Sequence, residues 1–196
     1  LDIKEPGLNV LPPGVERHII NAGGITGLQI FPDDEIEIIN DEGNQTCEIT
    51  CFNKDGKCEL GILNLKDNKN SNAIQDLLKG NDESVLITNL QLKKRKLNID
   101  KSKTSILFDK DTESGEKVKL KAKDKCYVIL AAPKNEMLIS KQNPSGDLTV
   151  FIKRSKIVND KELTVIPDPI YDPTFEENIF RQTSISYQVK EGDYIQ

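Results

Sequence analysis

The stretch His18–Asn53, HIINAGGITGLQIFPDDEIEIINDEGNQTCEITCFN, sets short runs of alternating apolar and polar residues between clusters of Gly, Pro, Asp and Asn. A period of two turns one side of an extended chain toward a core and the other toward water. The intervening residues supply the backbone geometry that reverses it. The pattern predicts consecutive strands at Arg17–Asn21, Gly27–Phe31, Glu35–Asn40 and Gln45–Asn53. Turns fall at Ala22-Gly23-Gly24, Pro32-Asp33-Asp34 and Asp41-Glu42-Gly43-Asn44. A chain punctuated in this way is mainly β, with packed or barrel-like antiparallel sheets and one or two short helices.

The remaining segments extend that reading. Leu1–Val15, broken by Pro6-Gly7 and Pro12-Pro13-Gly14, is expected to be a turn-rich arm. Asp55-Gly56 between two strand-like runs signals a hairpin, which would set Cys58 opposite Asn53 and diagonal to Cys51. Ser71–Gly80 reads as a short helix, with Ile74, Leu77 and Leu78 on one face, Asn72 and Gln75 as an approximate capping box, and Gly80 as the stop. Ser84–Leu92 and Leu97–Phe108 have strand composition. Val118, Leu120 and Ala122 alternate with three lysines as a half-solvated strand, and Cys126–Ala132, apolar on both faces, is expected to be central. Leu148–Arg154 and Thr183–Val189 are further strands, and the Pro-rich Ile166–Pro173 is extended linker.

The chain has 196 residues, 36% hydrophobic and 30% charged, with a net charge of −5. That length buries a substantial core. The acidic balance disfavours nucleic acid as a partner. No apolar run approaches a membrane span, and no secretory leader is visible, so a cytoplasmic protein is expected.

Few residues advertise chemistry. Cys47 and Cys51 share a strand face about 13 Å apart, at about 3.3 Å per residue, too far to bind one zinc ion together. They read as small core residues beside Ile49 and as free thiols, while the hairpin leaves a Cys51–Cys58 pairing open. His18 is the single histidine and reads as structural or exposed. Asp33-Asp34-Glu35 reads as a solvated turn. Ala22–Gly27 is glycine-rich but runs into a strand, so it lacks the helix N-terminus that a phosphate cradle needs. Lys93-Lys94-Arg95-Lys96 reads as an exposed strand end or turn, with contact to nucleic acid or to an acidic partner as the alternative. No metal site is expected.

Ala22-Gly23-Gly24, Gly43-Asn44-Gln45, Cys47 and Phe52-Asn53 together resemble the urea carboxylase-associated family, in which a strand, a Gly turn, a strand and a G-x-Q segment lead to an aromatic-Asn end. Cys126–Pro133 (CYVILAAP) and Asn143–Arg154 (NPSGDLTVFIKR) resemble the family's later segment. Val189–Gln196 resembles the opening of another such unit, and Ile19–Gly24 is loosely echoed by Tyr187–Gly192. The expectation is one β domain over residues 1–183, with 184–196 beginning a second, truncated unit.

The resemblance implies two contexts. In one, the chain is an N-terminal accessory domain fused to a glycine-cleavage T-protein-like aminomethyltransferase. Catalysis and tetrahydrofolate then belong to the downstream domain, and no cofactor to this chain. In the other, it is a subunit of a carboxyguanidine- or urea-type amide-nitrogen hydrolase that works beside urea carboxylase. The partner is accordingly a downstream domain of the same polypeptide or a separate subunit. A non-catalytic interaction module stands as a third reading. The resemblance carries over Gly43, Asn44, Gln45 and Cys47 as a substrate-lining patch. A Cys at position 47, where the family more usually has an acidic residue, argues against an acid/base or metal role there.

Overall fold

Alternation is realised strand by strand in the computed structural model of the chain, which describes residues 11–12, 14–67, 72–100, 102–134 and 144–155. Most of the expected arm, the Pro-rich Ile166–Pro173, the strand Thr183–Val189 and the unit beginning at 184 lie outside these residues.

Among the described residues there are eight strands: β1 (Val15–Ile20), β2 (Ile25–Ile30), β3 (Glu35–Asn40), β4 (Cys47–Asn53), β5 (Ser105–Phe108), β6 (Glu116–Lys121), β7 (Cys126–Ala131) and β8 (Leu148–Lys153). They form two four-stranded antiparallel sheets, ordered β1-β8-β3-β6 and β2-β7-β4-β5. The protein is therefore mainly β, as the sequence pattern predicts. β7 is central and buried along its whole length.

The core lies between the sheets. Ile36, Ile38, Val150 and Ile152 of the first sheet meet Leu28, Ile30, Cys47, Ile49, Cys51, Val128 and Leu130 of the second. Cys47, Ile49 and Cys51 do share the inward face. The opposite face of the second sheet is also covered. Ile25, Phe52, Tyr127 and Ile129 pack there against Ile74 of α1 (Ala73–Leu77) and Val85 and Leu92 of α2 (Glu83–Arg95).

Several sequence expectations are corrected. Ser84–Leu92 is helical: Val85, Thr88 and Leu92 are buried at helical spacing. The expected strand Leu97–Phe108 is reduced to β5, because Asn98 and Ile99 bind Asp100 and Ser102 in successive turns. Lys93-Lys94-Arg95 is the last turn of α2, where cations oppose the carbonyl end of the helix, and Lys96 is its left-handed cap with φ of 55°. Finally, Asn72 makes no side-chain cap of α1. A buried carboxylate from the sheet does so instead, with Ile74 N donating to Glu48 Oε2 at 2.8 Å.

The Asp55-Gly56 turn is present, with Gly56 at φ of 76° and Asn53 Oδ1 accepting from Asp55 N and Lys57 N. Its second arm is a single bridge, and Cys58 lies opposite Phe52, not Asn53. The chain then enters a 3-10 turn at Leu60–Leu63. All four cysteines are free. Among the described residues no helix is long and apolar enough to cross a membrane.

Candidate functional site

At one end of the sandwich, the β3–β4 loop is built around two left-handed residues, Gly43 with φ of 78° and Asn44 with φ of 56°. A side chain at position 43 would press on Ser114 N and Thr112 O, at 2.8 and 2.9 Å from its Cβ, so only glycine fits. Asn44 N donates to Thr112 O at 2.8 Å, and Gly115 N to Asn40 O at 2.7 Å. These bonds lock the loop onto the β5–β6 turn.

Gln45 then reaches across to the second sheet. Its Nε2 donates to Thr46 O at 2.7 Å and to Pro133 O, just past β7, at 2.8 Å. Asn40, at the inward end of β3, donates through Nδ2 to Gln45 O at 2.8 Å. Both amides are oriented by carbonyl acceptors, which leaves Asn40 Oδ1 and Gln45 Oε1 buried without a donor. Such an oxygen costs about 1–3 kcal/mol unless something donates to it. Gly43, Asn44 and Gln45 thus share one loop. Cys47 lies beneath it in the core, where burial, helped by the Glu48 charge, pushes its thiol well above the usual range. That environment suppresses the thiolate.

A second polar cluster escaped sequence reasoning. Arg154, only 9% exposed, binds Glu16 through Nε and Nη2 at 2.7 and 2.9 Å, Asp34 through Nη1 at 2.7 Å and Gln29 O at 2.9 Å. Asp34, expected in a solvated turn, is 1% exposed and also accepts from Phe31 N and Ser155 N. Asp33 and Glu35 beside it are exposed, as expected. His18 Nε2 lies 3.3 Å from Glu16 Oε2. Burial alone would raise the Glu16 carboxyl, but hydrogen bonds from His18 and Arg154 outweigh it and bring the pKa to about 2. Every arm of this cluster is satisfied internally, so it clamps β1 and β8 to the β2–β3 turn. The only sequence sign was an arginine ending a strand pattern.

A cavity of about 580 Å³ opens on the outer face of the first sheet, where Phe151 lies among Glu35, Glu37, Lys119, Lys121 and Lys153. Lys119 pairs with Glu37 and Lys121 with Asp33, so this face presents no field of one sign. Among the described residues no group of three or more His, Cys, Asp or Glu is arranged to hold a metal ion.

No family model matches the chain. One solved structure, a DUF1989 family protein from Silicibacter pomeroyi DSS-3, aligns with a TM-score of 0.41 and 9% identity, over 80% of this chain and 83% of that one. The chain is similar to the trimethylamine-oxide aldolase of Ruegeria pomeroyi (strain ATCC 700808 / DSM 15171 / DSS-3), at 32% identity over 194 residues. That alignment takes in 99% of this chain but 24% of the aldolase, so the chain spans about a quarter of the relative's length.

Proposed function

We propose that the chain is a β-sandwich domain, of the urea carboxylase-associated kind, of a longer enzyme that acts on a small methylated amine oxide and passes a one-carbon unit onward. The observation that carries this reading is the alignment of nearly the whole chain with one stretch of a trimethylamine-oxide aldolase. An aldolase reaction on that substrate is redox-neutral. One methyl carbon is oxidised to formaldehyde as the N-oxide nitrogen is reduced, and dimethylamine leaves. Tetrahydrofolate held by a downstream, aminomethyltransferase-like region would capture the formaldehyde as a methylene group with loss of water. Within this chain, the β3–β4 loop carrying Gly43, Asn44 and Gln45, with Cys47 beneath, is the proposed substrate-facing patch.

The test uses the full-length polypeptide that contains this sequence. Supplied with trimethylamine oxide, it should release formaldehyde and dimethylamine in equal amounts, and tetrahydrofolate should lower the free formaldehyde. Absence of both products overturns the reading. Asn44→Gly removes the side chain at a φ that glycine adopts freely, so the fold is kept. A fall in turnover of at least about tenfold, roughly 1.4 kcal/mol of barrier, supports the patch; unchanged turnover removes it.

A further inference from the structure

Among the described residues none packs over the outer face of α2, and that face has an unusual symmetry. Leu86 and Leu90 are 52% and 56% exposed, although Val85, Thr88 and Leu92 on the same helix are buried. Residue 88 is midway between the two leucines, and also midway between Glu83 and Lys93. At about 1.5 Å per residue, Glu83 lies about 7.5 Å to one side of this midpoint and Lys93 the same distance to the other. Glu83 and Lys94 are eleven residues apart, about three turns, and so occupy the same flank of the face. Among the described residues, none of Glu83, Lys93 and Lys94 is in an ion pair within the chain.

A face with this pattern is complementary to itself. We infer that α2 pairs antiparallel with α2 of a second copy of this chain about a two-fold axis at the level of Thr88. In that arrangement Leu86 packs against the partner's Leu90. Glu83 meets the partner's Lys94 on its own flank, with the partner's Lys93 at the same height across the seam, and the second half of the contact repeats the first. The basic run that sequence analysis marked as a contact for acidic groups thus finds them on an identical molecule. Apolar burial supplies the attraction, and the charges fix the antiparallel direction. The contact is small, below about 1,200 Å², and belongs to the weak, transient class.

Sedimentation equilibrium of the 196-residue chain, from about 20 μM to about 1 mM, covers the range in which such a contact forms. A monomer–dimer equilibrium that weakens as salt rises is expected. Leu86→Gln should weaken association at least tenfold. Glu83→Lys and Lys94→Glu should each abolish it, since each sets like charges face to face at both ends. Their equimolar mixture should associate, because the introduced lysine of one copy then meets the introduced glutamate of the other. A monomer at every concentration overturns the inference. So does a dimer that survives these substitutions, or one that the mixture of variants does not restore. All three positions are exposed, and an unchanged far-ultraviolet circular dichroism spectrum verifies the fold of each variant.

Discussion

At the scale of single residues, Arg154 and its carboxylates show how a buried charge is tolerated. The guanidinium is desolvated, yet Glu16 and Asp34 hold it charged and push its pKa up. Removing it would strand Asp34 in the interior. Arg154→Met should therefore cost about 3–5 kcal/mol, read as a lower urea midpoint. The cluster also sets a pH response. The folded pKa of Glu16 is about 2, below its ordinary value of 4.5. A carboxylate with a depressed folded pKa adds stability that is fully present above the unfolded value and is lost as pH falls through the folded one. The Glu16 contribution should thus fade between about pH 4.5 and pH 2. The side chain is about a third exposed, and after allowance for solvent screening its contribution is about 1–2 kcal/mol. In Glu16→Gln the urea midpoint should drop less steeply over that interval than in the parent protein; parallel profiles would contradict this account. None of it was legible locally. Asp33-Asp34-Glu35 has the composition of a wet turn, and the arginine that dries it lies 120 residues further along.

At the scale of elements, α2 reads in the sequence as a strand, and the reason is physical. SVLITNLQL is rich in branched apolar residues, and its two exposed leucines fill the gaps in the helical period, so the run mimics a strand buried on both faces. The informative signal was charge. Asp82 and Glu83 precede the run and Lys93-Lys94-Arg95 follow it, the polarity that a helix dipole favours. By contrast, β3 and β6 were legible because alternating Glu or Lys with Ile, Val or Leu fits only a half-solvated strand. The candidate loop was legible as a turn, since Gly43 and Asn44 are the residues that left-handed backbone demands. The reach of Gln45 to Pro133 was not, because it depends on pairing between distant strands. One position decides how α2 seats on β2. Gly27 lets the Tyr127 hydroxyl bond Gln91 Oε1, while Arg95 stacks 4.5 Å from the Tyr127 ring centroid. A Cβ at position 27 would fall on that hydroxyl, 2.6 Å from Tyr127 Cζ and 2.7 Å from Gln91 Oε1. Gly27→Ala should cost about 1–3 kcal/mol in chemical denaturation. Adding Tyr127→Phe, which removes the obstructing oxygen, should recover part of that loss. Additive losses in the double variant would show that the clash lies elsewhere.

At the scale of the whole sandwich, the chain passes between sheets at almost every step, since β1, β3, β6 and β8 form one and β2, β4, β5 and β7 the other. Pairings are therefore remote in sequence, as in Val15 opposite Lys153. Neither sheet can be completed before most of the chain is in place, which favours cooperative unfolding. The cysteines provide a direct reading of this. Cys47, Cys51 and Cys126 line the inner face of the second sheet, whereas Cys58 is half-buried at the edge of the β4 turn, its Sγ accepting from Lys103 N at 3.1 Å. A hydrogen bond with Cys126, together with burial, pushes the Cys51 thiol up, and burial does the same to Cys47, so neither reacts in place. Labelling with a thiol-reactive disulfide should therefore give one fast equivalent from Cys58, nearly independent of urea. Three slow equivalents should follow, with a urea dependence matching that of global unfolding, because the inner face is exposed only when the two sheets separate. Cys58→Ser should delete the fast phase alone. A core cysteine labelled without urea dependence would mean that the second sheet opens independently of the first, and the interleaved topology would then not govern unfolding.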